Sequence, residues 1–143
     1  RFENVHLVLG DSQDTISKKL AYALKNKTVF AYLDAHWQEH LPLRDEIADI
    51  SALASDFVIL IDDFKVPSDD NYEYDDYDQN GACTLEYIAP ALSGSMAVFF
   101  PTTPAAEESG RKRGYVVIGR GKEIISKLEK IDLLARFIQN EKE

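Results

Sequence analysis

Two short apolar runs in this chain end in acidic residues, and this feature constrains the fold more than any other. The runs are residues 28–33 and 57–61, and the polar residues that follow them are Asp34, His36, Asp62 and Asp63. In an open α/β sheet, ligands bind in a crevice outside the carboxyl ends of the strands. These four side chains are therefore the candidates for binding or catalysis.

The first 61 residues alternate between strand and helix patterns. Residues 5–9 form an apolar run that stops at a glycine, and a helical pattern follows it. Pro42 opens a second helical pattern, whose apolar residues recur at spacings of three and four. Residues 57–61 are continuously apolar, which is typical of a parallel strand covered on both faces. The pattern predicts an α/β fold with residues 57–61 as a central strand.

The second half continues with less regular patterns. An acidic, tyrosine-rich loop is predicted at residues 65–81, a short helix at 84–92, strands at 96–100 and 115–118, and an exposed connection at 101–114. From Lys122 onward, apolar residues at helical spacing predict an amphipathic helix, which we expect to pack on the chain's own sheet rather than on a partner.

The loop at residues 65–81 has two interpretations. It contains the first half of a calcium-loop pattern from Asp76 to Gly81, but Tyr87 stands where the closing glutamate should be. A solvated lid is the better interpretation, with its tyrosines able to cover a bound substrate.

Composition limits the class of protein. The chain has 143 residues, of which 45% are hydrophobic, and this is enough for one domain with its own core. Its formal charge of −9 makes nucleic acid and anionic membranes poor partners. No apolar run approaches the roughly 20 residues that cross a bilayer. Cys83 is the single cysteine, so no disulfide can form within the chain, as is typical of proteins in a reducing compartment. We expect a soluble, cytoplasmic protein.

The acidic residues at the strand ends predict a metal site. Carboxylates brought close together repel one another unless a cation or a proton lies between them. Three carboxylate groups, from Asp34, Asp62 and Asp63, would suit the oxygen ligands that Mg²⁺ or Mn²⁺ prefers. His36 is the candidate general base, because imidazole titrates near neutral pH, although a histidine in a loop can also be simply solvated.

Asp11 and Ser12 follow the first apolar run and have two interpretations. They could present a carboxylate at a strand end, or they could cap the helix that follows. Both roles can coexist, one on each residue.

Three segments together resemble a known family. Residues 5–12 (VHLVLGDS), 30–37 (FAYLDAHW) and 57–64 (FVILIDDF) resemble the third, fourth and fifth strands of class I S-adenosylmethionine-dependent methyltransferases, most closely the metal-dependent small-molecule O-methyltransferases. The resemblance implies a Rossmann-like, mostly parallel sheet with helices on both faces and an antiparallel last strand. It further implies that Asp11, Ser12 and Asp34 contact the cofactor, Asp11 near the adenine. Asp34, Asp62 and Asp63 would hold Mg²⁺ beside a substrate hydroxyl.

The chain departs from this family at its amino-terminal side. The family's first strand and glycine-rich loop, which grip the methionine part of the cofactor, have no match here. We therefore expect residues 1–143 to be the C-terminal part of a methyltransferase-like fold, either a fragment or a degenerate relative. This part alone should bind S-adenosylmethionine poorly or not at all. The strand at residues 5–9 would then lack its usual neighbours, and we expect it to pair with residues 28–33 or with a second copy of the chain.

Three functions remain open from the sequence. The first is a Mg²⁺-assisted O-methyltransferase acting on a small hydroxylated molecule, and the second is a non-catalytic domain for protein association, with a homodimer plausible. The third is a metal-dependent glycosyl or phosphoryl transferase, because acidic pairs at strand ends also hold Mg²⁺ on phosphates.

Overall fold

Five strands form a single mixed sheet. The computed structural model describes residues 3–35 and 40–138. The strands are β1 (Thr28–Leu33), β2 (Asp56–Ile61), β3 (Met96–Pro101), β4 (Val116–Arg120) and β5 (Leu134–Arg136), and their order in the sheet is β1-β2-β4-β3-β5. β1 and β2 are parallel, whereas the pairs β2/β4, β4/β3 and β3/β5 are antiparallel.

The predicted α/β class and four of the predicted strands are confirmed, but the sheet is not mostly parallel. The predicted last strand, at residues 115–118, is β4, and it is antiparallel to both of its neighbours. β4 lies between β2 and β3, and β5 at the far edge is antiparallel to β3, which makes three antiparallel pairs against one parallel pair. The sequence prediction extended the parallel pattern of β1 and β2 to strands whose order is set by pairing over long distances.

Helices cover both faces of the sheet. Their bounds are α1 (Ser12–Asp14), a π-helical turn (Thr15–Lys19), α2 (Ala21–Leu24), α3 (Leu43–Leu53), α4 (Leu85–Ile88) and α5 (Lys122–Leu128). α3 buries Leu43, Ile47 and Ile50 in the larger core, which also holds Phe57 and Ile59 of β2. Each such aliphatic side chain contributes about 1.5–3 kcal/mol when it leaves water. On the opposite face, α5 contributes to the smaller core through Leu128.

The segment at residues 5–9 is not a strand, so this prediction is wrong. It has no strand assignment, and the side chains of Leu7 and Leu9 are 95% and 96% exposed. β1 pairs with β2 on one side, and residues 5–9 do not occupy its other side. An apolar run with strand propensity forms a strand only where it finds a partner, and this segment has none among the described residues.

The predicted long C-terminal helix is only partly correct. α5 ends at Leu128, and the chain then turns and returns as β5 along the outer edge of β3. The turn is closed by a bond from the Leu134 amide to the Ile131 carbonyl at 2.9 Å, and the Phe137 amide donates to the Val98 carbonyl at 2.8 Å. The apolar residues after Leu128 therefore serve a strand rather than a helix. The tail does pack on its own sheet, as predicted.

Within residues 3–35 and 40–138, no helix has both the length and the apolar character that a membrane-spanning segment requires.

Candidate functional site

The parallel register of β1 and β2 brings the predicted acidic residues to one edge. Leu33 lies opposite Ile61, and the Asp62 amide donates to the Leu33 carbonyl at 3.2 Å. The next residue of each strand, Asp34 and Asp62, therefore emerges at the same edge of the sheet. Both line an open cleft of about 820 Å³, whose other lining residues are Asp63, Glu73, Arg111, Lys112 and Arg113.

Asp62 accepts two hydrogen bonds from groups within the described part of the chain. Its Oδ2 accepts from the Tyr32 hydroxyl at 2.5 Å, and its Oδ1 accepts from the backbone amide of Asp63 at 2.9 Å. A carboxylate has about four acceptor positions, so Asp62 retains capacity for a ligand donor. The two internal bonds hold its side chain in a defined orientation at the cleft.

Asp63 is paired with an arginine that the sequence reasoning did not identify as a site residue. Arg113 Nε donates to Asp63 Oδ1, and Arg113 Nη2 donates to Asp75 Oδ1. All three side chains are about one quarter exposed, and the two carboxylates raise the pKa of the guanidinium. The positive charge that a metal was expected to supply is supplied here by Arg113.

Backbone hydrogen bonds fix the position of the segment that carries Arg113, which lines the cleft. The Glu73 amide donates to the Lys112 carbonyl at 2.7 Å, and the Gly114 amide donates back to the Glu73 carbonyl at 2.9 Å. The Phe64 amide donates to the Gly114 carbonyl at 2.8 Å. Three segments distant in sequence, those following β2, within the acidic loop and preceding β4, are thus joined by their main chains.

Two tyrosines of the acidic loop at residues 65–81 are held by internal hydrogen bonds. Tyr72 is buried, and its hydroxyl donates to the Thr103 carbonyl at 2.8 Å. The hydroxyl of Tyr77 donates to Asp75 Oδ2 at 2.5 Å, which fixes the carboxylate that also pairs with Arg113. Tyr72 and Tyr77 are therefore not available to cover a bound substrate as predicted. Closure of the loop as a lid stays a prediction, since much of the loop is exposed.

The described residues do not fit the predicted metal centre. No group of three or more histidine, cysteine, aspartate or glutamate side chains is arranged to hold a metal ion within the described ranges. Asp63 is paired with Arg113, and one oxygen of Asp62 is bonded to Tyr32. Metal binding by Asp34, Asp62 and Asp63 therefore stays a prediction, and no chemical step is derived from it. His36, the predicted base, lies outside the described residues.

The residues predicted to contact the cofactor are only partly brought together. The Asp11 carboxylate caps α1, accepting from the Asp14 amide at 3.1 Å. Ser12 and Asp34 both line a separate groove between the N-terminal helical turns and β1. The one G-x-G of the sequence, residues 119–121, lies between β4 and α5, where Arg120 pairs with Phe57 at the amino end of β2 and not at the carboxyl end. These residues do not provide a cradle for the methionine part of S-adenosylmethionine.

Cys83 is buried near the same acidic cluster. Burial, followed by the charges of Asp75 and Asp63, raises the pKa of its thiol to about 12. The thiol therefore stays protonated at neutral pH, and it is a poor nucleophile.

Tyr32 provides a spectroscopic probe of the acidic edge. Its hydrogen bond to Asp62, with burial and the charges of Asp62, Asp34 and Asp63, raises the pKa of the phenol to about 12. In an ultraviolet titration, the difference between wild type and Tyr32→Phe should show a phenol that ionises near pH 12 rather than 10. Because the folded-state pKa is raised, this group stabilises the fold below about pH 10, and the contribution is lost as the pH rises through 12. A normal phenol titration would show that the Tyr32–Asp62 bond is absent in solution.

Comparisons of the chain with protein-family models, with curated protein sequences and with solved structures gave no match. The functional argument therefore rests on the geometry of the site.

Proposed function

We propose that the chain is the acceptor-binding, C-terminal part of a Rossmann-like methyltransferase fold that transfers a methyl group to a hydroxyl of a small molecule. The observation that carries this proposal is the shared edge of β1 and β2, where Asp34 and Asp62 emerge side by side at an open cleft. The carboxyl ends of parallel strands are where α/β folds bind their ligands.

The chemistry of the cleft favours a polyhydroxylated acceptor. Its lining residues include both carboxylates and cations, the cations being Arg111, Lys112 and Arg113. A molecule with several hydroxyls can donate to the carboxylates and accept from the cations at the same time. A flat apolar ring would gain little in such a cleft, because it would displace water from charged groups without replacing their hydrogen bonds.

Asp62 is the residue that we expect to hold the reacting hydroxyl. Tyr32 and the Asp63 amide orient its carboxylate without using all of its acceptor positions. A carboxylate within hydrogen-bond reach can also take up the proton that the hydroxyl loses when its oxygen is methylated. This chain's contribution is to bind the acceptor and to receive that proton.

An affinity measurement tests the role of Asp62. Asp62→Asn should weaken the binding of methyl α-D-glucopyranoside, used as a polyhydroxylated probe, by about tenfold or more, because a hydrogen bond to a charged group contributes about 1.5–3 kcal/mol. Calorimetric titration of both proteins measures the effect. Asp132→Asn is the matched control, since it makes the same charge change at an exposed residue away from the cleft. Equal affinity of Asp62→Asn and wild type would contradict the proposal.

Two other functions predict different results. A glycosyl or phosphoryl transferase, suggested by the cations in the cleft, would bind uridine diphosphate glucose much more tightly than the plain glucoside. An association domain is favoured by the exposed apolar side chains of Phe30 and Tyr32 on edge strand β1, which are 67% and 52% exposed. In that case sedimentation velocity would show a concentration-dependent dimer that Phe30→Ser disrupts.

A further inference from the structure

A second concavity lies on the other side of β1, between the N-terminal helical turns and α3. It has a volume of about 280 Å³, which is close to the lower limit of about 300 Å³ for small-molecule sites. Most of its lining side chains are aliphatic, among them Ile16, Leu20, Leu24, Val29 and Ile50. The size and the lining suit a single flat ring system rather than an extended polar molecule.

Glu46 is the fully buried ionisable side chain of this lining, which also includes the polar residues Ser12, Thr15 and Asp34. Its side chain has no exposed surface, and neither of its carboxyl oxygens has a hydrogen-bond partner among the described residues. Burial raises the pKa of the Glu46 carboxyl group. This effect is larger than the opposing effect of the Ser12 hydroxyl, which favours the ionised form. A buried carboxyl group without partners costs several kcal/mol if it is ionised.

The position of Glu46 in α3 does not by itself explain this cost. Acidic residues in the first turn of a helix are favoured by the helix dipole, and Asp45 meets that preference from an exposed position. Glu46 is in the same turn but its side chain is buried with Leu43, Ile47 and Ile50. An apolar residue at this position would avoid the desolvation cost.

We propose that this groove binds a planar heteroaromatic ring that carries two adjacent N–H donors, as in a cyclic amidine or guanidine, and that Glu46 receives both. Two unpaired oxygens of one carboxyl group match a fork of two parallel N–H donors, the geometry of the strongest charge-assisted pairs. The aliphatic side chains above and below would contact the two faces of the ring. The site is separate from the acceptor cleft, and Asp34 is the residue that borders both.

Binding of 2-aminobenzimidazole tests the proposal, because this ring presents such a fork. Wild type should bind it measurably by NMR titration, and should bind 2-methylbenzimidazole, which has the same shape without the second donor, at least tenfold more weakly. Glu46→Gln should reduce the affinity for 2-aminobenzimidazole by about tenfold or more. Asp45→Asn, a charge change on the neighbouring exposed residue, should leave it within twofold.

A loss of binding in these variants can be distinguished from a loss of folding. Glu46→Gln keeps the size of the side chain but cannot ionise, so its melting temperature should equal or exceed that of wild type. A second variant, Ala31→Ile, keeps Glu46 and fills the groove from β1, and it should also weaken binding at least tenfold. Failure of wild type to bind, or equal binding by wild type and Glu46→Gln, would overturn the proposal. Neither result would bear on the acceptor cleft, because the ring carries no hydroxyl.

Discussion

Replacing Arg113 with alanine should lower the free energy of unfolding by about 3 kcal/mol, the lower end of the range for breaking a buried ion pair by removing one partner. Arg113 is the cation that joins Asp63 and Asp75, and its removal leaves two mostly buried carboxylates facing each other. Denaturant unfolding monitored by circular dichroism measures the change.

The neighbouring arginine provides the control. Arg111 is exposed and lines the same cleft, so Arg111→Ala should change the free energy of unfolding by no more than about 0.5 kcal/mol. Arg113→Lys should recover only part of the loss, because an ammonium group cannot direct a planar fork at two carboxylates. If Arg113→Ala is as stable as Arg111→Ala, the pairing with Asp63 and Asp75 does not support the fold.

Gly114→Ala should destabilise the protein by about 3 kcal/mol, at the upper end of the usual range for overpacking. A Cβ at residue 114 would lie 2.1 Å from the Phe64 carbonyl oxygen and 2.8 Å from a methyl group of Val66. The first of these atoms is a backbone atom, and the Phe64 amide also donates to the Gly114 carbonyl. The segments that contain Phe64 and Gly114 therefore cannot move apart without breaking this bond. The variant should also displace Arg113, which immediately precedes it.

Gly110→Ala is the matched control for this prediction. No atom lies within 4 Å of the position that its Cβ would occupy, so the same substitution four residues earlier should be close to neutral. Thermal unfolding of the two variants and wild type, under identical conditions, measures the difference. Equal melting temperatures for Gly114→Ala and Gly110→Ala would mean that the Phe64–Gly114 contact is looser in solution than in this structure.

The parts of the fold that sequence reasoning predicted are those encoded locally. The spacing of Leu43, Ile47 and Ile50 marks the buried face of α3, and the continuous apolar run marks β2 as an internal strand. Strand order is different, because it depends on which distant segments pair. The segment at residues 5–9 has strand propensity without a partner, and the residues after Leu128 have helical spacing but form β5 against β3.

The candidate site divides in the same way. Asp34, Asp62 and Asp63 could be predicted because they directly follow strands whose carboxyl ends share an edge. The pairing of Asp63 with Arg113 could not be predicted, because Arg113 is fifty residues away in sequence and lies in the loop before β4. Glu46 was missed although a signal exists: it lies three residues after Leu43 and four before Ile50, on the buried face of α3.

The central claim is that the carboxyl ends of β1 and β2 form the ligand-binding edge of this protein. Backbone amide NMR shifts during titration with methyl α-D-glucopyranoside test it most directly. The account predicts shifts concentrated at residues 34, 62, 63, 112 and 113, the lining of the cleft. Shifts confined to the separate cavity of about 570 Å³ that Met96, Val98 and Arg136 line, with none at Asp34 or Asp62, would contradict it.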